Sequence, residues 1–278
     1  MRVIFAVPNY NMRENLGQLL TSLSAEENDG IFLLDDASTD GSADYVEAIF
    51  PDIIVVRGER NAGAGANRNR LLPFLSGQEL ILFVDADQEL KSAGLARTVR
   101  GWFADATLGL AGSLILDKSG APYIWNYGFA MDPRRESRVG LYQFLERAAS
   151  EGSPLRELIR RVALGLHDTY EFEIKNTEPV SRRVDWVSEG LFAVRADLFR
   201  RLGGFDERFR YHTGQDLCLR IVQAGAQVRF EPGITVHHLE IDVRGRQRFA
   251  DFREGQWLYY QKHWGMSREV FERLHSAP

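Results

Sequence analysis

The sequence predicts an α/β fold, a mostly parallel sheet with helices on both faces. Three observations predict it. Short apolar runs alternate with segments of helical apolar spacing through the first third of the chain. The carboxyl ends of those runs carry polar clusters: Pro8-Asn9-Tyr10-Asn11, Asp35-Asp36 and Asp85-Ala86-Asp87. In open α/β sheets, ligands bind beyond those strand ends. Finally, no internal repeat and no low-complexity linker interrupts the chain, which argues for one continuous domain.

The elements follow in order. Arg2 to Val7 reads as a buried strand, stopped by Pro8 and Asn9. Leu16, Leu19, Leu20 and Leu23 then mark a helix over Glu14 to Leu23. Ile31 to Leu34 is a strand, Ser42 to Phe50 a helix and Ile53 to Val56 a strand. A helix is predicted from about Ala64 to Leu75, a strand from Leu80 to Val84 and a helix from Lys91 to Phe103. In the second half, Leu108 to Leu116 and Tyr123 to Met131 read as strands, joined by a turn at Asp117 to Ala121. Pro133 to Ser181 is charged and irregular, with a helix expected between Leu155 and Leu166. A strand pattern resumes from Val184 to Val194, and a helix spans Gly214 to Ala224. Val228 to Glu231 and Ile234 to His237 read as short strands, and Arg246 to Trp264 as an aromatic-rich helix.

Composition narrows the function classes. The 278 residues are 44% hydrophobic and 26% charged, ordinary for a globular protein. A net charge of −5 supplies no global basic field, so no nucleic-acid partner is expected. Apolar runs such as Leu80 to Val84 fall far short of the ~18 residues of a membrane span. The apolar stretch of MRVIFAVPNYN is too short for a secretory leader. A single cysteine, Cys218, excludes an internal disulfide and a cysteine zinc site, and suits a reducing cytoplasm.

Several segments carry candidate chemistry. In LILFVDADQEL, a strand delivers Asp85 and Asp87 to the sheet edge. Such hard oxygen ligands suit Mg²⁺ or Mn²⁺ carrying phosphate oxygens, and equally can cap a following helix. Asp35 and Asp36 in FLLDDASTDGS can accept hydrogen bonds from a base or ribose, or shape a turn. RNAGAGANRNR is glycine-rich and leads into a helix, with Arg68 and Arg70 placed to meet a diphosphate or to stay solvated. Asp216, near a helix start, is kept ionised by the dipole and can act as a base or only stabilise the helix. His237-His238 can donate an imidazole to a metal. Trp257, Tyr259, Tyr260 and Trp264 can touch a membrane surface or pack on the core.

Taken together and in this order, the segments resemble an inverting family-2 glycosyltransferase of the GT-A fold, in the bacterial rhamnosyltransferase-like group. The series runs VIFAVPNYNMRENLGQLLTSL, FLLDDASTDGSADYVEAIFPDIIVVRGERNAGAGANRNRLL, LILFVDADQEL, VDWVSEGLFAVRADLFRRLGGFDERF, DLCLRIVQAG, VRFEPGITVHH and QKHWG. The resemblance implies a Rossmann-like sheet with a smaller acceptor-side sheet, in a single domain over 1–278. Residues 1–105 would form the nucleotide-binding half and 106–245 the acceptor half, with a variable segment at 133–181. The C-terminal helix would occupy 246–278. It implies that Pro8 and Tyr10 line the base pocket, Asp36 bonds the nucleobase and Arg68 approaches the diphosphate. Asp85 would meet ribose or metal, and Asp87 would bind Mn²⁺ or Mg²⁺. His238 would be a later metal ligand, with His237 its competitor by one residue of slippage. Trp186, Glu189 and Gly190 would wall the donor-sugar and acceptor site, and Asp216 would be the catalytic base.

Two departures stand out. The family's common GEDVDLCLR reads GQDLCLR here, so Asp216 matches either the base or the later helix aspartate. The long stretch from Pro133 to Ser181 would hold acceptor specificity, with Arg134, Arg135, Arg138, Arg160 and Arg161 available to a phosphorylated or lipid-linked acceptor. The implied reaction moves a sugar from a UDP-sugar, or alternatively a dTDP-sugar, to a glycan or lipid-linked hydroxyl. A cytoplasmic site at the inner membrane face is expected. The rivals are a nucleotidyltransferase, a sugar-nucleotide or glycan-binding module with a decayed site, and a membrane-surface adaptor. NYNMREN lacks the arginine-bearing glycine loop that the first of these uses.

Overall fold

The computed structural model describes residues 1–123, 125–128, 154–155, 158, 179–239 and 247–275. The helix expected between Leu155 and Leu166, and the arginines at 134, 135, 138, 160 and 161, lie almost wholly outside these.

The nucleotide-side half follows the expected alternation. Strand β1 (Arg2–Asn9) leads to α1 (Arg13–Ser24), then β2 (Ile31–Asp35), α2 (Ser42–Ile49) and β3 (Ile54–Arg57). Next come α3 (Ala64–Asn69), a 3₁₀ turn (Leu72–Phe74), β4 (Glu79–Val84), β5 (Gln88–Leu90) and α4 (Leu95–Trp102). The helix expected to reach Leu75 is broken, because Pro73 has no N–H to continue the ladder. The helix expected from Lys91 starts only after Gly94, which takes φ +72°. The residues before it form β5, which sequence reading missed.

The second half holds β6 (Leu108–Leu116), β7 (Tyr127–Gly128), β8 (Arg182–Arg183), β9 (Trp186–Val187) and β10 (Leu191–Arg195). It continues with α5 (Ala196–Arg201), α6 (Thr213–Gln223), β11 (Gln227–His238), α7 (Gln247–Trp264) and α8 (Arg268–His275). The strand expected over Val184 to Val194 is split by a turn at residues 188–190. The two short strands expected after α6 are one strand, β11, with a register shift between Phe230 and Thr235. Pro232 and Gly233 lie in that shift.

One nine-stranded sheet runs β3-β2-β1-β4-β10-β6-β11-β5, with β8 on β11; β7 and β9 form a second, two-stranded sheet. Strands β1 to β4 are parallel neighbours, while β10 runs antiparallel to both β4 and β6. Two reversals cancel, so β6 and β11 run in the direction of β1, β2 and β4. Their carboxyl ends therefore share one sheet edge.

Side-chain alternation explains the layers. Val3, Phe5 and Val7 point to one face and pack with Leu16, Leu19, Leu20 and Leu23 of α1 and with Val99 of α4. Ile4 and Ala6 point to the other, with Phe199 of α5 and Leu217 and Ile221 of α6. Every residue of β2 and β4 is buried, as in strands covered on both faces.

The C-terminal helices add a third cluster: Phe209, Tyr259, Tyr260 and Phe271. Tyr259 and Tyr260 are thus core residues, not surface anchors, and only Trp264 of the four aromatics is exposed. No described helix is long and apolar enough to cross a membrane. Helix α7 lies close on the segment before α6. A Cβ on Gly255 would stand 2.6 Å from the Tyr211 carbonyl oxygen, which has no flexible end to yield. We predict that Gly255→Val lowers the urea-unfolding free energy by about 1–3 kcal/mol and opens the C-terminal helices to protease. An unchanged midpoint and cleavage pattern would contradict this packing.

Candidate active site

The shared edge gathers most of the residues singled out in the sequence. Strand β4 ends at Val84 and delivers Asp85 and Asp87. The end of β11 meets them. His238 Nε2 lies 3.1 Å from Asp87 Oδ2, and the Leu239 amide donates to the Asp87 carbonyl at 2.9 Å. Successive strand residues face opposite ways, so His237 is carried to Glu89 instead, at 3.9 Å. Of the two adjacent histidines, only His238 joins the carboxylate pair. Asp87 and His238 give one hard oxygen and one imidazole nitrogen. Among the described residues, no three acidic, histidine or cysteine side chains close on one ion. The set fits a divalent ion that shares its shell with substrate phosphates, as Mg²⁺ commonly does.

Arg68 departs from expectation. Helix α3 buries it, leaving its side chain 3% exposed. Its Nη2 donates to Asp85 Oδ1 at 2.7 Å and to the Glu189 carbonyl at 3.1 Å, and its Nη1 to Glu189 Oε2 at 3.3 Å. The guanidinium also lies over the Phe205 ring, at 5.7 Å from its centroid. The Arg68 guanidinium is paired with two carboxylates. Burial pushes the Asp85 carboxyl up to about 6; Arg68 opposes that, while Asp87 and Glu189 reinforce it.

Asp36 is also turned inward. It accepts the Ala62 amide at 3.0 Å, the Gly63 amide at 2.9 Å and Arg70 Nη1 at 2.7 Å. As placed, it organises the loop beside the site and has no open oxygen for a nucleobase. Gly58 gives Arg70 its path, since a Cβ there would stand 2.3 Å from Arg70 Nη2. Pro8 and Tyr10, at the end of β1, are half-buried.

The turn between β9 and β10 closes the site on its far side. The Asp85 amide donates to the Gly190 carbonyl at 3.0 Å. A Cβ on Gly190 would stand 2.5 Å from Gln88 Nε2 and 3.7 Å from Asp85 Oδ2, so glycine lets the turn come this close. Trp186 lies across Gly128 in the small sheet and packs on the second core cluster. Glu189 accepts the Gly214 amide at 2.6 Å and the Thr213 hydroxyl, at the start of α6.

Asp216 requires a correction. It has no exposed surface. Its Oδ1 accepts Lys262 Nζ at 2.6 Å and His263 Nε2 at 2.8 Å, and its Oδ2 accepts Arg220 Nε at 2.9 Å. An ionised carboxylate only accepts, so His263 carries its proton on Nε2. A base must reach the acceptor hydroxyl, and this carboxylate has no exposed surface. It ties α6 to α7.

Sequence reading missed Gln88, Thr213 and Gly214. The Gln88 amide is 2% exposed, with neither its nitrogen nor its oxygen hydrogen-bonded. Its only sequence signal was a position directly after the paired aspartates.

The Asp216 tie carries a pH signature. Burial works to raise its pKa, but His263, Arg220 and Lys262 outweigh burial and hold it below 3.8. A lowered carboxylate contributes stability above its unfolded pKa and loses it as pH falls through the folded value. Asp216→Asn should cost about 1–3 kcal/mol at neutral pH, because Arg220, Lys262 and His263 lose the carboxylate they share. The gap to the native protein should stay constant down to about pH 4 and shrink below that, as read by urea melts. A variant of native stability at pH 7 would contradict the tie.

Comparison with known proteins agrees with this arrangement. The family model described as glycosyl transferase family 2 matches residues 4–163. A pre-mycofactocin glycosyltransferase of Mycobacterium tuberculosis is 27% identical over 238 residues, 85% of this chain and 42% of that protein. The chain thus spans less than half the length of that relative. An N-acetylglucosaminyl-diphospho-decaprenol L-rhamnosyltransferase of the same organism is 25% identical over 250 residues, 85% of this chain and 76% of that one. A mannosyltransferase structure from Pyrobaculum calidifontis, in complex with GDP-Man and Mn²⁺, superposes with a TM-score of 0.59 at 18% identity. It covers 99% of this chain and 70% of that one. The mixed sheet, its crowded carboxyl edge and the matched family model lead to one conclusion: the chain belongs to glycosyl transferase family 2 and has the GT-A fold.

Proposed function

We propose that the chain transfers a sugar from a nucleotide-sugar donor, a UDP-sugar in preference to a dTDP-sugar, to a hydroxyl of a glycan or lipid-linked acceptor. The observation that carries this reading is the meeting of Asp87 and His238 beside Asp85 at the carboxyl edge of the sheet. That edge holds the switch point between β1 and β4, where open α/β sheets bind ligands. The family membership and the neighbour solved with GDP-Man and Mn²⁺ support it.

In this reading Pro8 and Tyr10 flank the base, and the loop held by Asp36 and Arg70 borders it. Asp87 and His238 would hold a divalent ion, Mn²⁺ or Mg²⁺, with Asp85 beside them. When bound, the ion neutralises the charge that grows on the departing diphosphate. Gln88 gains partners for its orphaned amide when the donor's hydroxyls arrive. The turn at Ser188 to Gly190 and Trp186 border the acceptor side. Transfer is a single displacement at the anomeric carbon, so configuration inverts. We read 1–278 as one domain that works on the cytoplasmic side. The burial of Asp216 favours one second reading, a sugar-nucleotide binding module without turnover.

Thermal melts with UDP-, dTDP- and GDP-sugars, each with and without Mn²⁺, test the donor site. We expect one nucleotide class to stabilise the protein, by about 2.7 kcal/mol at a hundredfold excess over Kd. The effect should need the metal and disappear in Asp87→Asn. Folded protein that no donor stabilises would contradict the reading.

A further inference from the structure

We propose that Glu189 is the catalytic base of this chain. The inference rests on the transferase reading above and adds the group that Asp216 fails to supply.

The carboxylates at the edge can be told apart by what occupies them. Asp35 is buried, with Asn9 Nδ2 at 2.8 Å and the Ser38 amide at 3.0 Å. Asp36 is consumed by its loop and Arg70. Asp87 faces His238, and Asp85 faces Arg68 on the donor side. Asp216 is sealed. Glu189 is partly open, with 24% of its side chain exposed, and lies across Arg68 from Asp85, whose own side chain is 30% exposed.

Its carboxylate is also held in a fixed place. A Cβ on Gly214 would stand 2.6 Å from Glu189 Cγ and 3.1 Å from Oε1. The carboxylate therefore occupies volume that any side chain at position 214 would need. The Gly214 amide, the Thr213 hydroxyl and Arg68 fix its direction. One observation links the two halves of the step: the turn that carries Glu189 is hydrogen-bonded to Asp85 through Gly190. A base on this turn moves with the donor-side carboxylate.

The step balances simply. The acceptor oxygen forms a bond to the anomeric carbon as the bond from that carbon to the diphosphate oxygen breaks. The electron pair of the broken bond leaves with the nucleoside diphosphate. The acceptor's hydroxyl proton passes to the Glu189 carboxylate and later to solvent.

Capping of α6 would use the same two hydrogen bonds from Gly214 and Thr213, so stability alone does not separate the roles. Turnover does. The test compares native protein with Glu189→Gln, Glu189→Ala and the double variant Glu189→Ala, Gly214→Asp. The last returns a carboxylate to the same volume from the neighbouring backbone. Two readouts are taken: donor-induced melting shift with Mn²⁺ across the UDP- and dTDP-sugar panel, and nucleoside diphosphate release from those donors to water and to methyl glycosides.

We expect Glu189→Gln to keep the donor shift and a donor KM within about threefold, while kcat falls by about 10²–10⁴ in both single variants. The double variant should recover at least about tenfold over Glu189→Ala. Glu189→Gln turning over within about threefold of native would overturn the proposal. So would loss of the donor shift together with turnover, no recovery in the double variant, or native protein that binds donor and releases no diphosphate. Absence of any donor shift in the native protein would instead sink the transferase reading itself.

Discussion

The guanidinium of Arg68 sits between Asp85 and Glu189, and much of the molecule is arranged to keep it there. Asp85 comes from β4, in the first half of the chain; Glu189 comes from the turn before β10, in the second. Alone, a buried cation would be prohibitive, and two neighbouring carboxylates would repel. Together they make a polar bridge between the halves. Helix α3 that carries Arg68 is only 6 residues long and has little helical stability of its own. It is pinned by side chains: Asn67 Nδ2 on the Leu34 carbonyl at 2.7 Å, and Asn69 Nδ2 on the Phe205 carbonyl at 2.8 Å. Those bonds fix the base of Arg68 and hence its direction.

A second polar node, around Asp216, has a different character. It lies in the first turn of α6 and gathers Arg220, Lys262 and His263. Its task is to hold α7 against the fold, where Phe209, Tyr259, Tyr260 and Phe271 complete the contact. The two nodes divide the labour. One sets geometry at the sheet edge, and the other seals the C-terminal helices behind it. The first turn of α6 belongs to both: Thr213 and Gly214 meet Glu189, and Asp216 meets Arg220, Lys262 and His263.

The fold was legible wherever apolar periodicity was strong. β1, α1, β2 and β4 lie within a residue or two of their expected bounds, because period-two and period-3.6 burial is written directly in Val3, Phe5, Leu16 and Leu82. The Asp85, Asp87 and His238 grouping was legible in part, as strand-end residues whose meeting only the fold shows. Asp216 was not legible. A carboxylate early in a helix gives the same one-dimensional signal whether its face is open or covered, and α7 does the covering. The pairing of Arg68 was hidden for a related reason. Its partner Glu189 is 121 residues away, and no local pattern announces that pairing. Elements β5 and α5 were missed because they are short and abut other elements. Position 214 was invisible for the opposite reason: a glycine matters here by what it leaves room for.

The most direct measurement is a double-mutant cycle on Arg68→Met and Asp85→Asn, read by urea unfolding of the full chain. A bridge of this kind requires the two losses to be strongly non-additive, with a coupling above about 1 kcal/mol. Losses that add to within about 0.3–0.5 kcal/mol would mean that the two side chains are independent, and would contradict the bridge on which the sheet edge depends.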